Sequence, residues 1–185
     1  EEDTPMIWRG PMVTQALEQL LTDTNWKDVD YLIIDLPPGT GDVQLTLCQK
    51  IPVSGAVIVT TPQDISLIDA RKGLKMFEKV EVPVLGIVEN MSTHVCKKCG
   101  HIESIFGEGG GEQLASEAGV KLLGELPLEK QIREEMDKGT PTVSSNPMDP
   151  ASLAYREIAR KMTATLSMRK KDYSSAFPKI VIQND

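Results

Sequence analysis

The sequence predicts an α/β fold, in which helices cover both faces of a parallel sheet. One observation is that near-continuous apolar runs recur along the chain, at residues 31–36, 55–61 and 84–88. Strands that helices bury on both faces have this pattern, because neither face meets water. The other observation is that helical patterns separate the runs, and such alternation is typical of a parallel sheet. The 185 residues suit a single core of this kind.

In chain order, the first predicted element is a helix, because its apolar residues recur every three or four positions. Pro11 suits the first turn, where its missing N–H would have no partner in any case. The apolar face consists of Val13, Ala16, Leu17, Leu20 and Leu21. The strand at 31–36 follows, and then a helical segment that carries Cys48.

The alternation continues after the strand at 55–61. A weaker strand is predicted over 121–126, and helices are predicted over 64–80, 111–118, 128–138 and 150–168. Gly119 ends the short helix at 111–118, because glycine readily adopts the left-handed conformation of a C-cap. The glycines within 107–111 are interpreted as a flexible approach to that helix. Residues 169–185 lose periodicity, which predicts a loosely attached tail with a short strand at 179–182.

The composition is that of a globular protein, with 40% hydrophobic and 25% charged residues. No apolar run approaches the roughly 20 residues that a membrane-spanning helix needs. Basic residues number 20 against 27 acidic ones, and this net charge of −7 argues against nucleic acid or an anionic membrane as a partner. The cysteines number three, which predicts a reduced cytoplasmic protein with a metal or redox pair rather than a disulfide framework.

The end of the first apolar run carries residues that suit a nucleotide. Asp35 is expected at the carboxyl end of a strand, where α/β sheets bind ligands, and it could hold Mg²⁺ through water. Gly39 and Gly41 follow, and their backbone N–H groups can approach a phosphate closely. The alternative is a tight strand-to-helix turn in which Asp42 caps the next helix.

Cys96 and Cys99 form the second candidate site. Two thiolates at this spacing in a tight turn can bind one soft metal ion or one edge of an iron–sulfur cluster. A 4Fe–4S cluster needs four cysteine ligands, and two subunits that each donate a pair would supply them. Lys97 and Lys98 would favour the thiolate form and offset the charge of a cluster.

Three other interpretations of this pair stay open on the residues alone. One is zinc held within a single chain by both cysteines together with His94 and His101. A redox pair is another, although the residues around it do not resemble a helix start. The third is that the cysteines are unrelated. Cys48, which stands alone in its segment, is interpreted as a small buried hydrophobic residue.

The segment at 31–42, YLIIDLPPGTGD, resembles the Walker-B and switch-II region of the Mrp/ApbC family. Members of this family are P-loop ATPases of the deviant-Walker-A group that act as iron–sulfur cluster carriers. The resemblance is collinear over residues 8–155. Its other motifs are WRGPM at 8–12, GIVENM at 86–91, the pair of cysteines, FGEGGG at 106–111 and GELPL at 124–128.

The resemblance implies a P-loop NTPase fold of the SIMIBI type and a set of ligands. It assigns Asp35 to Mg²⁺ and water, Asn90 to adenine, and backbone near Pro127 to the base. With Gly39, Thr40 and Gly41, these residues would bind ATP. The cysteine pair would hold a 4Fe–4S cluster that bridges a homodimer, with zinc as a possible substitute, for transfer to apo iron–sulfur proteins.

No G-x-x-x-x-G-K-[S/T] loop occurs in the 185 residues. The chain is therefore expected to be the C-terminal portion of such a protein, with a partial ATPase domain over 1–168, a CxxC insertion at 91–106 and a tail over 169–185. Without the loop and its lysine, the triphosphate loses most of its binding charge. ATP hydrolysis by this chain alone is expected to be negligible, and slow in the parent protein.

Two other functions are weighed against the cluster carrier. One is a positioning or partitioning ATPase of the same fold, for which the basic tail after Met168 is a weak indication without a sustained apolar face. The other is a zinc-stabilised interaction module.

Overall fold

The computed structural model describes residues 10–36, 41, 44–45, 48 and 51–169. The strands in this part of the chain are β1 (Ala56–Thr60), β2 (Val84–Glu89), β3 (His94–Val95), β4 (Ile102–Glu103) and β5 (Leu122–Glu125). The helices are α1 (Gly10–Asp23), α2 (Asp64–Lys79), α3 (Gly110–Ala118), α4 (Lys130–Asp137), α5 (Thr142–Ser145) and α6 (Pro150–Ser167). The predicted helix after the acidic loop is seen only in part, since Gln44, Leu45 and Cys48 are helical.

A parallel sheet with the strand order β1-β2-β5 forms the centre of the fold. Ile87 of β2 pairs with Ile58 of β1 on one side and with Leu122 of β5 on the other. All residues of β2 after Val84 are buried. The apolar runs at 55–61, 84–88 and 121–126 therefore predicted these three strands correctly, although only the central strand β2 is buried on both faces and Val59 of β1 is 62% exposed.

Helices pack on both faces of the sheet. Alternate residues of a strand point to opposite faces, so Ile87 and Val88 belong to different clusters. Ile87 packs with α2 and α3, whereas Val88 lies with Leu123 and Leu126 against α6. The three-layer α/β prediction is thereby confirmed.

Close packing of α6 depends on a glycine in β5. A Cβ at Gly124 would lie 2.7 Å from Ile158 Cγ1, which is closer than real Cβ contacts allow. The helix can therefore approach the sheet only where this strand has no side chain. The start of α6 is also fixed locally, because Asp149 Oδ1 accepts the Ala151 N–H at 2.9 Å.

The prediction of a strand at 31–36 is wrong for this structure. The segment has no regular secondary structure, and Ile33 is 72% exposed. A strand needs a partner for its backbone N–H and C=O groups, and in the described residues β1 pairs with β2 alone. Apolarity on both faces shows that a run could be covered, but it does not supply the neighbouring strand.

The helices predicted over 64–80, 111–118, 128–138 and 150–168 are confirmed, with ends that differ by at most two residues. The antiparallel hairpin of β3 and β4 was not predicted, since strands of two residues are too short to show a period. The predicted tail at 169–185, including the strand at 179–182, lies outside the described residues except for Arg169. Within the described ranges, no helix is both long enough and apolar enough to cross a bilayer.

Candidate functional site

The cysteine pair lies in the turn of the β3–β4 hairpin. Cys96 N–H donates to His101 O at 2.9 Å, and Gly100 N–H donates to Cys96 O at 2.8 Å. Gly100 has φ +73°, a left-handed conformation that glycine adopts without strain. These bonds close the turn tightly and bring both thiols to one side of the fold's surface, where Cys96 is half-buried and Cys99 is exposed.

The turn favours the thiolate form of Cys96. Its pKa is lowered chiefly by a hydrogen bond from the Lys98 backbone N–H, and next by bonds from the Cys99 backbone and side chain. The charge of His94 adds a smaller effect. The sequence predicted that the Lys97 and Lys98 ammonium groups would favour the thiolate. In the structure, the main-chain N–H of Lys98 is the leading cause.

A zinc site built from one chain is not assembled. The described residues contain no group of three or more His, Cys, Asp or Glu side chains placed to share a metal ion. His94 lies with Nδ1 2.9 Å from Leu128 O, which fixes its ring against the chain that follows β5. Among the described residues, His94 and His101 are therefore not placed to share a metal ion with Cys96 and Cys99.

The outgoing limb of the hairpin is anchored on the chain that follows β5. Ser92 donates to Leu126 O from its backbone N–H at 3.0 Å and from its Oγ–H at 3.2 Å. Leu128 N–H donates to Thr93 O at 2.7 Å. Together with the His94 contact, these bonds hold the first limb before the cysteines begin.

Asn90 and Pro127 lie at neighbouring strand ends. Asn90 N–H donates to Thr60 O at 2.7 Å, and Leu126 N–H donates to the last carbonyl of β2 at 2.8 Å. Pro127 is thus placed one strand away from Asn90. Met91 has φ +57°, and its N–H donates to Asn90 Oδ1 at 3.0 Å, so the amide also closes the turn after the strand.

The acidic segment is not brought into this arrangement by the described residues. Asp35 is exposed and does not stand at the end of a strand, contrary to the prediction. Gly41 is described, and a Cβ there would lie 3.5 Å from Gln44 Oε1. Gly39 and Thr40 lie outside the described residues, so their predicted contacts with a phosphate stay predictions.

Sequence reasoning missed Glu89, the last residue of β2. Its side chain is 1% exposed, and its Oε2 accepts the Gly111 N–H at 2.5 Å. Burial raises the pKa of the Glu89 carboxyl, the Gly111 bond opposes this rise, and the charge of Glu125 adds to it. The available signal was an acid at the end of an apolar run, followed 20 to 22 positions later by three consecutive glycines.

The interpretation of the glycines as a flexible approach is wrong for Gly110 and Gly111. Both are buried in the first turn of α3. A Cβ at Gly110 would lie 2.8 Å from Leu67 Cδ1 and 2.9 Å from Pro62 O, and a Cβ at Gly111 would lie 2.9 Å from Glu89 Cβ. The glycines therefore allow close contact between the helix start and the sheet.

Comparison with known proteins identifies the family. A family model described as ParA, NUBPL iron-transfer P-loop NTPase, matches residues 1–163. The chain belongs to this family. The resemblance to the Mrp/ApbC carriers is confirmed, since relatives that are 61% identical to this NUBPL-family chain over the aligned residues are named iron–sulfur cluster carrier proteins.

Curated relatives come from bacteria and eukaryotes. The iron–sulfur cluster carrier protein of Pseudomonas fragi is 61% identical over 86% of this chain and 55% of its own length. That of Escherichia coli K12 is 61% identical over 89% of this chain and 45% of its own. The iron–sulfur cluster transfer protein NUBPL of Mus musculus is 52% identical over 90% and 52%. The chain thus spans about half the length of these relatives.

Solved structures confirm the fold. A nucleotide-binding protein of Archaeoglobus fulgidus, in complex with ADP and with Co found in it, is 35% identical, with a TM-score of 0.66 over 77% of this chain and 57% of its own. The cell division ATPase MinD of Pyrococcus furiosus is 22% identical, with a TM-score of 0.60 over 84% and 59%. The second likeness concerns the fold alone, so it does not favour a positioning function for the NUBPL-family chain.

Proposed function

We propose that this protein carries an iron–sulfur cluster between two copies of its chain and passes it to apo-proteins under the control of ATP. The observation that carries the proposal is the hairpin turn that presents Cys96 and Cys99 together and lowers the pKa of Cys96. Thiolates are the ligands of iron–sulfur clusters. The names of the curated relatives support the same cargo.

Ligand number supports a shared site. A 4Fe–4S cluster takes four thiolates, and each hairpin turn presents two. Two hairpins related by a two-fold axis complete the set, with the same surface on both copies. The N–H bonds from Lys98 and Cys99 toward the Cys96 sulfur would remain when that sulfur binds iron, and they would spread its negative charge. Zinc in the same four-thiol setting would serve as a substitute.

The proposed nucleotide site lies where β2 and β5 end. Asn90 would pair with adenine through its amide, and backbone at Pro127 would hold the other side of the base. Asp35 would hold Mg²⁺ through water, and Gly39, Thr40 and Gly41 would lie at the phosphates, as the family relationship suggests. The relative solved with ADP supports nucleotide binding in this fold.

The two proposed sites are close along the chain. The hairpin strand β3 begins four residues after Asn90, and its outgoing limb is bonded to the exit of β5, next to Pro127. A change in the base contacts would therefore shift the limb that carries the cysteines. We expect nucleotide state to bias two arrangements of the dimer and thereby gate transfer.

The remaining proposals concern organisation. Residues 1–168 would form part of an ATPase domain with an insertion at 91–106, and 169–185 would form a tail. The reduced cysteines suit the cytoplasm, and the acidic net charge argues against nucleic acid and membrane surfaces as partners. The partners would be a second copy of the chain and apo iron–sulfur proteins.

The test is anaerobic reconstitution with iron and sulfide. The wild-type chain should turn brown, with a broad absorption shoulder and about two irons per chain. The double variant Cys96→Ala/Cys99→Ala should lose the absorption, because no thiolate pair remains. Cys48→Ala is the matched control, since Cys48 is buried in its helix and should leave iron binding unchanged. Iron binding by the double variant at the wild-type level would refute the assignment.

A further inference from the structure

The hairpin has a second limb, which returns from β4 to α3, and its attachment depends on Glu89. Gly107 N–H donates locally to Ser104 O at 3.2 Å, and α3 begins three residues later. At that point Gly111 N–H donates to Glu89 Oε2. The bond spans the entire excursion, because Glu89 is the last residue of β2 before it and Gly111 is the second residue of the helix after it.

The cost of placing a carboxylate here is high. The side chain is 1% exposed, and burial raises the pKa of Glu89. None of the ion pairs found among the described residues includes it. A buried carboxylate with one N–H donor is less favourable for stability than a well-packed apolar side chain. The neighbouring residues of β2 are apolar, so folding alone would be served by a leucine at this position.

The residues on either side of this hydrogen bond are closely packed. Gly111 approaches Glu89 so closely that a Cβ would lie 2.9 Å from Glu89 Cβ and 3.0 Å from its Oε2. Gly110 meets Pro62 and Leu67 in the same way. The start of the helix can therefore pack on the sheet in one position, and Glu89 supplies the acceptor for one of its free N–H groups, that of Gly111.

We propose that Glu89 is a positioning residue for the cysteine pair: it ties the return limb of the hairpin to the strand end that carries Asn90. The outgoing limb is held by Ser92 and by the contacts near Leu128, so both limbs are fixed when the Glu89 bond is made. Loss of the bond frees one limb, and the two thiols lose their fixed placement toward a second copy. This inference rests on the proposed cluster site.

The experiment measures metal affinity and stability separately in the full 185-residue chain. Co²⁺ is the probe, because thiolate coordination gives it visible absorption, and iron and sulfide provide the second assay. Glu89→Leu removes the acceptor, and Glu89→Gln keeps an oxygen that can accept the Gly111 N–H. Glu125→Leu is the matched control, since Glu125 lies opposite Glu89 in the strand register and is exposed.

We expect Glu89→Leu to weaken Co²⁺ binding by about tenfold or more, the usual effect of losing an outer support of a metal ligand. Its melting temperature should equal or exceed that of the wild type. Glu89→Gln should bind Co²⁺ close to the wild-type affinity, and so should the Glu125 variant. Wild-type affinity in Glu89→Leu would overturn the proposal, as would an equal loss in Glu89→Gln.

Hydrogen exchange of the wild-type chain covers the case in which Glu89→Leu fails to fold. The Gly111 amide should exchange more slowly than that of exposed Glu112 in the same turn, because a buried carboxylate accepts its proton. Equal, rapid exchange at both amides would overturn the proposal. The cysteine variants separate the two hypotheses: if they lose metal while Glu89→Leu does not, the cluster site stands and the positioning role fails.

Discussion

Replacing Gly111 by alanine tests whether the start of α3 packs closely on the sheet. The new Cβ would lie 2.9 Å from Glu89 Cβ, 3.0 Å from its Oε2 and 3.3 Å from Leu122 Cδ1. Forcing an extra carbon into packed surroundings costs about 1–3 kcal/mol. Alanine in place of glycine in a helix contributes about 0.5–1 kcal/mol in the opposite direction. The net expectation is a loss of about 0–2.5 kcal/mol in the free energy of unfolding, with a midpoint of about 1 kcal/mol.

The assay is urea unfolding of wild type and variant, followed by circular dichroism. A loss of about 1 kcal/mol corresponds to a fall of roughly 2–4 °C in melting temperature for a chain of this size. Gly73→Ala is the matched control, because Gly73 lies inside α2 and its new Cβ would meet Ile58 Cδ1 at 3.6 Å, an ordinary contact. This control should gain up to about 1 kcal/mol.

The two alanine variants should therefore differ in sign. If Gly111→Ala gains as much unfolding free energy as Gly73→Ala, with an unchanged denaturant slope, the start of α3 is not packed closely against Glu89. An altered slope would instead mean that the unfolded or native state had changed in compactness. Iron reconstitution of the same variant adds a functional measurement, since displacement of Glu89 should reduce cluster retention while the cysteines stay intact.

Further predictions concern charge and nucleotide. Iodoacetamide should alkylate Cys96 at pH 7 faster than Cys48, because the pKa of Cys96 is lowered whereas burial raises that of Cys48. The pH at which the alkylation rate of Cys96 is half-maximal should lie below that of free cysteine. Equal rates for the two cysteines would contradict the hydrogen bonds of the hairpin. ATP hydrolysis by the 185-residue chain should be negligible, and clear hydrolysis lost on Asp35→Ala would refute this. Since burial raises the pKa of Glu89 in the folded state, its favourable effect on stability exists below the ordinary pKa of glutamic acid and is lost as pH rises through the folded pKa. Glu89→Gln should thus match the wild type in unfolding free energy near pH 4 and exceed it at pH 7.

The sheet was predictable where its signal is local. The run that became β2 is apolar on both faces because helices cover them, and the sequence shows this without knowledge of the partners. The run that became β1 is equally apolar, although Val59 on one face is 62% exposed. The segment at 31–36 has the same pattern but forms no ladder among the described residues. A partner strand is a non-local condition, and a single run of side chains cannot indicate whether it is met.

The candidate site shows the same division. Cys96 and Cys99 were predicted as a pair because their spacing is itself the signal. The hairpin around them was not, since its strands have two residues each. The lysines at 97 and 98 predicted a lowered pKa for Cys96 correctly, but for the wrong reason. The leading cause is the main-chain N–H of Lys98, which does not depend on the lysine side chain.

Glu89 was missed for a more instructive reason. An acid at the end of an apolar run is normally interpreted as exposed, because a buried carboxylate is unfavourable. Only the contact with Gly111 shows that this one is enclosed. In a sequence that folds well, local propensity, hydrophobic pattern and core packing usually favour the same structure. Departures from this consistency are expected where function requires them. The buried carboxylate and the glycine that leaves it room form one such departure, and along the chain they flank both the strand end proposed for the base and the turn proposed for the cluster.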